Sequence, residues 1–129
     1  MFVARTREIE VEVAPRFLPE RSSTDERTWF WTYTIRITNH GEETVRLETR
    51  HWRITDALGR RQEVSGAGVV GEQPVLPPGG TYEYTSGVPL PTPSGFMVGT
   101  YGMLSQTGER FEIDIPAFAL DLPHERTVN

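Results

Sequence analysis

The sequence predicts an all-β domain, an immunoglobulin/fibronectin-III-like β-sandwich of about seven antiparallel strands. Three observations carry that expectation. Apolar and polar residues alternate with a period of two in segment after segment, as in Ile9, Val11 and Val13 against Glu8, Glu10 and Glu12. Glycine- and proline-bearing turn signals separate these segments at short intervals. No window shows the apolar period of a helix. A small barrel is the alternative architecture, but long aromatic faces in both halves of the chain favour two packed sheets.

Residues 7–14 read as the first half-buried strand, because β-branched residues occupy one side of it. Pro15, Pro19 and the polar run 20–27 then make a loop. Residues 28–38 form the longest strand, with Trp29, Trp31, Tyr33, Ile35 and Ile37 on one face and Thr32, Thr34, Arg36 and Thr38 on the other. Large rings bury on the order of 150–250 Å² each, so this row is the expected centre of the core. Asn39-His40-Gly41 has turn chemistry, with Gly41 free to take a positive φ, and 44–55 reads as the return strand of a hairpin. The inward set of that strand starts as Val45, Leu47 and Thr49 and then changes parity to Trp52 and Ile54. Period two does not survive such a change unless an extra residue shifts the register. A bulge or strand switch is therefore expected near residues 49–51.

Asp56-Ala57-Leu58-Gly59 suits a type I turn, followed by a short strand at 60–65 pairing back. The segment Gly66-Ala67-Gly68-Val69-Val70-Gly71 is too flexible for a regular strand interior. Pro74, Pro77 and Pro78-Gly79 extend an irregular connection, and Pro78-Gly79 suits the centre of a type II turn. A strand at 80–86 carries Tyr82 and Tyr84. Pro89, Pro91 and Pro93 mark a loop, and 96–105 is strand-like although Gly99 and Gly102 weaken it. A tight turn at 106–109 leads to a strand at 110–115, which Pro116 interrupts, and 117–122 add a short apolar end. The tail 123–129 is expected to fray.

The 129 residues fit one domain, 1–129, with its core within about 7–122. At that size roughly two thirds of the unfolded surface can be buried. The absence of cysteine excludes disulfides and thiolate metal sites and fits a reducing compartment. The N-terminal stretch is too regularly charged for a signal peptide, and no apolar run approaches the roughly 20 residues that span a bilayer. These features place the chain in the cytoplasm, with no membrane partner. A formal charge of −5 argues against nucleic acid as a partner. All 13 basic residues are arginine, whose planar fork suits carboxylate and phosphate. Coding bias explains the missing lysines without any function and is the preferred reading.

The pattern G-x-G-x-x-G occurs at Gly66, Gly68 and Gly71. In dinucleotide-binding folds it joins a strand to a helix whose N-terminus holds the pyrophosphate. Here Glu72-Gln73-Pro74 follows, so no helix can start, and no βαβ unit surrounds it. The weaker form is an anion-binding nest of backbone N–H groups, with Arg50, Arg53, Arg60 and Arg61 as counter-charge and Glu72 opposing. The bland alternative is a flexible loop whose glycines serve turn geometry. His40, in a turn, and His124, in the tail, read as solvated, and His51 as a surface histidine between arginines. Ligand spacings such as H-x-H or HExxH are absent, and Glu63, Glu72, Glu112 and Asp114 are scattered, so neither a metal site nor a cofactor is assigned. Ser65, Ser86, Ser94 and Ser105 carry no G-x-S-x-G elbow. No catalytic residue is assigned, although triads converge only in space.

Three segments carry a resemblance: EVEVAPRFLPERS, YTIRITNHGEETVRLETRHWRITDALGRRQEVSGAGVVGEQPVLPPGGTYEYTSG and MLSQTGERFEIDIPAFAL. Within them Arg50-His51-Trp52, Gly66-x-Gly68-x-x-Gly71-x-x-Pro74 and Tyr84-Thr85-Ser86-Gly87 fall in one order. Over residues 7–122 the chain resembles the bacterial ApaG family. The resemblance implies a fibronectin-III-like sandwich and a small cytosolic protein linked by phenotype to cobalt and magnesium resistance or efflux. It implies kinship with domains of eukaryotic F-box proteins and of a polymerase-delta-interacting protein, where the module is held to bind other proteins. It also points a pyrophosphate or nucleotide role at Gly66, Gly68 and Gly71. A sandwich without a membrane span cannot itself move an ion, so efflux would be an indirect effect.

Two readings of function stand on these residues. One is a non-enzymatic protein-interaction module, monomer or weak homodimer. Its partner surface uses edge strands, Arg50, His51, Trp52 and Arg53, and the 66–76 segment. The other is a binder of a phosphate-bearing small molecule at Gly66, Gly68 and Gly71. A divalent-metal binder ranks third.

Overall fold

The computed structural model describes residues 1–123. Its strands are β1 (Phe2–Thr6), β2 (Ile9–Phe17), β3 (Trp29–Asn39), β4 (Val45–Asp56), β5 (Arg61–Ala67), β6 (Val75–Leu76), β7 (Thr81–Leu90), β8 (Gly95–Ser105) and β9 (Arg110–Leu120). The expected all-β sandwich is there, with nine strands rather than about seven. One sheet runs β1-β2-β3-β7, and the other runs β5-β4-β8-β9 with β6 pairing the start of β4. All pairings are antiparallel. A single 3-10 turn, Pro19–Arg21, is the only helical element among the described residues. None of the helices there is long and apolar enough to cross a membrane. His124 and the tail expected to fray fall, apart from Pro123, outside the described residues.

The core lies between the sheets. Trp31, Ile35 and Ile37 of β3, Leu47 and Trp52 of β4, and Ile113, Ile115 and Phe118 of β9 are buried. Tyr33, Trp52 and Phe118 form a ring cluster at the centre, with centroids 5.4 to 5.9 Å apart. These rings come from both sheets, so the cluster is what welds them.

Several local expectations change. β1 was missed because its hairpin to β2 turns through Arg7 and Glu8, at φ 51° and 67°, where glycine or asparagine is the usual signature. β2, β7 and β9 run on through Pro15, Pro89 and Pro116. Each of these prolines has a free side: β1 ends opposite Val13, and β7 and β9 are edge strands. At Pro116 the register to β8 also shifts, between Met97 and Gly99. β5 keeps Gly66 and Ala67 as its last residues, so the irregular glycine segment starts only at Gly68.

Residues 28–55 are not a hairpin. β3 pairs β2 and β7, whereas β4 pairs β5, β6 and β8. Residues 40–44 arch from one sheet to the other. Buried Asn39 holds the arch: its Nδ2 donates to the carbonyls of Glu43 and Leu76 at 2.8 and 3.0 Å, and its Oδ1 accepts the Gly41 N–H. Gly41 does not take a positive φ. Alternation suits an arch and a hairpin equally, because both turn the apolar faces to one core. The turns at 56–59 and 77–80 form as the sequence predicts, and the one expected at 106–109 closes one residue earlier, from Ser105 to Gly108; each has glycine at positive φ.

The two lateral seams of the sandwich differ. Along one, β1 and β2 pack against β9. The Asp114 N–H donates to Thr6 Oγ1 at 3.1 Å, Arg7 pairs Glu109 at 2.7 Å, and the Arg7 guanidinium lies 4.4 Å from the Phe111 ring centroid. Along the other, β5 and β7 are the free edges, and a cleft separates them.

Candidate functional site

A bulge in β4 creates the site. Leu47 pairs Met103 and Thr49 pairs Gly102, so Glu48 is the extra residue. The bulge sits just before the expected 49–51, and Thr49 faces out rather than in. Slipping one residue exchanges the faces of everything that follows. Trp52, Ile54 and Asp56 turn inward, and Arg50 with them. His51 and Arg53 turn to the outer face.

Arg50 therefore enters the sandwich where β5 and β7 part. Its guanidinium lies flat over Gly66, the residue it faces on β5. A Cβ on Gly66 would stand 2.9 Å from both terminal nitrogens, so the arginine occupies the space a side chain there would take. Nη1 donates to the carbonyls of Ala67 and Gly68 at 3.0 and 2.9 Å. Among the described residues no carboxylate pairs with Arg50.

The rest of the glycine motif is a tight turn. Val69 and Glu72 exchange N–H···O bonds of 2.8 and 2.9 Å around Val70 at φ 42° and Gly71 at φ 82°. Gly68, at φ 64°, has no room for a Cβ beside the Glu72 carbonyl. The bulge anchors this turn, because the Glu48 carbonyl accepts the Gly68 N–H at 2.7 Å and the Gln73 amide at 3.0 Å. Val69 plugs the core, and Val70 stands exposed at the tip. A β-branched residue at positive φ is strained, and nothing in its contacts explains why valine is there. Of the amides from Gly68 to Glu72, only those of Val70 and Gly71 lack a backbone partner among the described residues. A nest would have two donors there.

Two adjoining hollows of about 190 and 270 Å³ share Tyr33, Arg50, Trp52 and Ser86. Hollows of similar volume occur elsewhere on the surface, so chemistry rather than size marks this one. Tyr84 joins its wall, and its hydroxyl meets that of buried Tyr101 at 2.5 Å. Burial pushes the phenols of Tyr33, Tyr84 and Tyr101 upward, so they stay neutral. The cleft thus offers one unneutralised cation, neutral phenols and the Ser86 hydroxyl, a set suited to a single carboxylate or phosphate group.

The predicted partner residues separate. Arg50 is in the cleft. Trp52 is buried, 3% exposed, and offers no aromatic patch. His51 and Arg53 lie on the outer face of the second sheet. There His51 Nδ1 meets Ser65 Oγ at 2.7 Å, and Nε2 lies 3.5 Å from Glu63 Oε1. A serine, a histidine and a carboxylate do converge. They are cross-strand neighbours on β4 and β5, which touch in any antiparallel pair. The group lines none of the five hollows. Among the described residues no group of three or more His, Asp or Glu could hold a metal. Sequence reasoning missed Tyr33, Tyr84 and Ser86 as cleft residues, since Tyr33 read simply as core and Tyr84 and Ser86 only as part of a strand and of the family's motif. Only the parity change between Thr49 and Trp52 hinted that Arg50 faces in.

Comparison with known proteins places this geometry in a family. The family model described as the ApaG domain, DUF525, matches residues 19–105. Protein ApaG of Rhodopseudomonas palustris is 65% identical, covering all of both chains. Protein ApaG of Bradyrhizobium diazoefficiens is 65% identical, covering 99% of this chain and 98% of the relative. The crystal structure of a Bordetella pertussis protein named ApaA superposes with a TM-score of 0.88 at 49% identity, covering 91% of this chain and 95% of that one. The C-terminal domain of wzt shares the fold alone, at a TM-score of 0.53 and 11% identity over 99% of this chain and 88% of that one. With its domain matched over most of the chain and relatives matched end to end, this chain belongs to the ApaG family.

Proposed function

We propose that this ApaG-family chain is a non-enzymatic, cytoplasmic protein-interaction module whose partner surface is the open seam between β5 and β7. One observation carries the reading: Arg50 is held in that seam between two free strand edges, and no carboxylate pairs with it among the described residues. Exposed Val70 adds apolar surface beside it. A free edge offers main-chain hydrogen bonds, and the cation offers selectivity. A link to cobalt and magnesium resistance would run through the partner. Calorimetry with either ion should then show no heat. The exposed Ser65–His51–Glu63 group should leave a fluorophosphonate probe unreacted, and labelling of Ser65 would overturn the non-enzymatic reading. The test of the surface is recovery of partners by wild type, Arg50→Met and Gly68→Asp. Recovery that is the same for all three would rule the seam out.

A second reading has its own observation. The free amides of Val70 and Gly71 stand near Arg50, which suits a phosphate-bearing small molecule such as pyrophosphate or a nucleotide. Titration with millimolar pyrophosphate should then move the backbone amide signals of residues 65–72. Signals that stay in place would end this reading and leave the first intact.

A further inference from the structure

Gly66 is the next-to-last residue of a strand at the free edge of its sheet, and its missing side chain is replaced by the Arg50 guanidinium. The arginine reaches from β4 across β5 toward the open side. Adjacent strands lie about 4.8 Å apart, so a strand added to β5 would run directly beside that guanidinium. Directly opposed residues share a face in an antiparallel pair. The inner-face positions of β5 are Gln62, Val64 and Gly66, which oppose Ile54, Trp52 and Arg50 on β4. Val64 is half-buried against the core, and with Ile54 and Met97 it lines the larger hollow. An added strand therefore meets an apolar site at Val64 and, two residues along at Gly66, a guanidinium held by backbone carbonyls but paired with no carboxylate among the described residues.

We infer that the β5 edge accepts an extended acidic peptide as an added strand, with a carboxylate placed opposite Gly66 to pair with Arg50 and an apolar side chain two positions away over Val64. The inference rests on the open-seam reading and names the chemistry of its partner. Charge complementarity selects the occupant. A carboxylate on the added strand would complete the fork that Arg50 leaves unpaired, whereas a lysine there would face like charge. The chain's own acidic residues near β5 do not fill the role, because Glu63 lies on the outer face and no carboxylate reaches Arg50 among the described residues.

The test uses the full chain and synthetic strand-forming hexapeptides of threonine and valine, with glutamate, glutamine or lysine at one guest position. Backbone amide shifts locate binding, and fluorescence anisotropy measures it. The glutamate peptide should move the amides of residues 61–68 and bind at least about tenfold tighter than the lysine peptide. N-methylation of its backbone should remove binding. Arg50→Met should erase the discrimination between guests, and Arg50→Lys should restore part of it. Those variants are read only where their amide spectra match the wild-type fold, and the guest series on the unaltered chain decides the matter without them. Equal affinity for all guests at β5 would overturn the carboxylate pairing while leaving the open-seam reading standing. Shifts confined to β1 or β9, or no peptide binding while pyrophosphate binds, would overturn both.

Discussion

The two seams of this sandwich solve one problem in opposite ways. On the β1–β9 side the sheets are drawn together. Phe2 packs on Phe118 at 6.1 Å, Thr6 takes the Asp114 amide, and Arg7 spans to Glu109 and Phe111. On the β5–β7 side the sheets part, and the gap is lined by an arginine, a serine and neutral tyrosines. Unpaired edges invite association, and a protein normally blunts them. Here one side is blunted by packing and the other is left open beside a cation. The difference teaches that the open side is not simply an unfinished version of the sealed one. It contains a strained valine, a bulge and a glycine chosen to make room, features that a purely structural edge does not need.

Substitutions can break or sharpen that contrast. The largest effect is expected on the sealed side, where Phe118 touches rings from both sheets. Phe118→Ala should cost roughly 3–5 kcal/mol in denaturant unfolding. A loss well under that would mean the seam does not depend on its rings. On the open side, Gly68→Ala forces a side chain into positive φ and onto the Glu72 carbonyl, and should cost about 2–3 kcal/mol. Gly71→Ala meets empty space and only the φ penalty, about 1–2 kcal/mol, so the ordering of the two alanines checks the turn geometry. Val70→Asn should gain about 0.5–1 kcal/mol by easing the strain. If the same change weakens partner binding, stability was given up there for contact. Gly66→Ala meets only the mobile end of Arg50, so it should cost under about 1 kcal/mol and yet dislodge the guanidinium.

The smallest expected effect is a pH dependence at the end of β4. Burial pushes the Asp56 carboxyl up, but the amides of Arg60 and Leu58 and the Arg60 guanidinium more than offset this and hold it below the ordinary range. The folded state therefore binds its proton less readily than the unfolded state. That contribution is present above about pH 4 and is lost as pH falls through the folded value. Asp56→Asn should flatten this acid limb of the stability profile. An unchanged limb would assign it to other carboxylates, such as Glu48 beside Arg46 or Glu109 beside Arg7, which are also held low.

Much of this was legible in the residues. The inner row of β3 and the turns at Asp56–Gly59 and Pro78–Gly79 follow from local chemistry alone. The glycine motif was readable as turn geometry, and its phosphate-helix reading failed on Glu72-Gln73-Pro74. What escaped was partnership. Val45 and Ile54 alternate equally well in a hairpin or an arch, so the jump of the chain between sheets was invisible. Trp52 read both as an inward residue beyond the expected bulge and as part of the partner surface, and the extra residue at Glu48 settles it as buried.

The sequence by itself determined most of the strands and which residues are apolar on each, because period-two alternation and turn chemistry are local properties of the chain, and the order of its motifs carried the resemblance to the family. Only the tertiary structure decided which strands are neighbours, which edge stays open, and that Arg50 faces into the gap over Gly66. Those outcomes depend on packing between residues distant in sequence and on one unpaired position in β4. The packing leaves no mark on the local pattern, and the unpaired position shows there only as a change of parity.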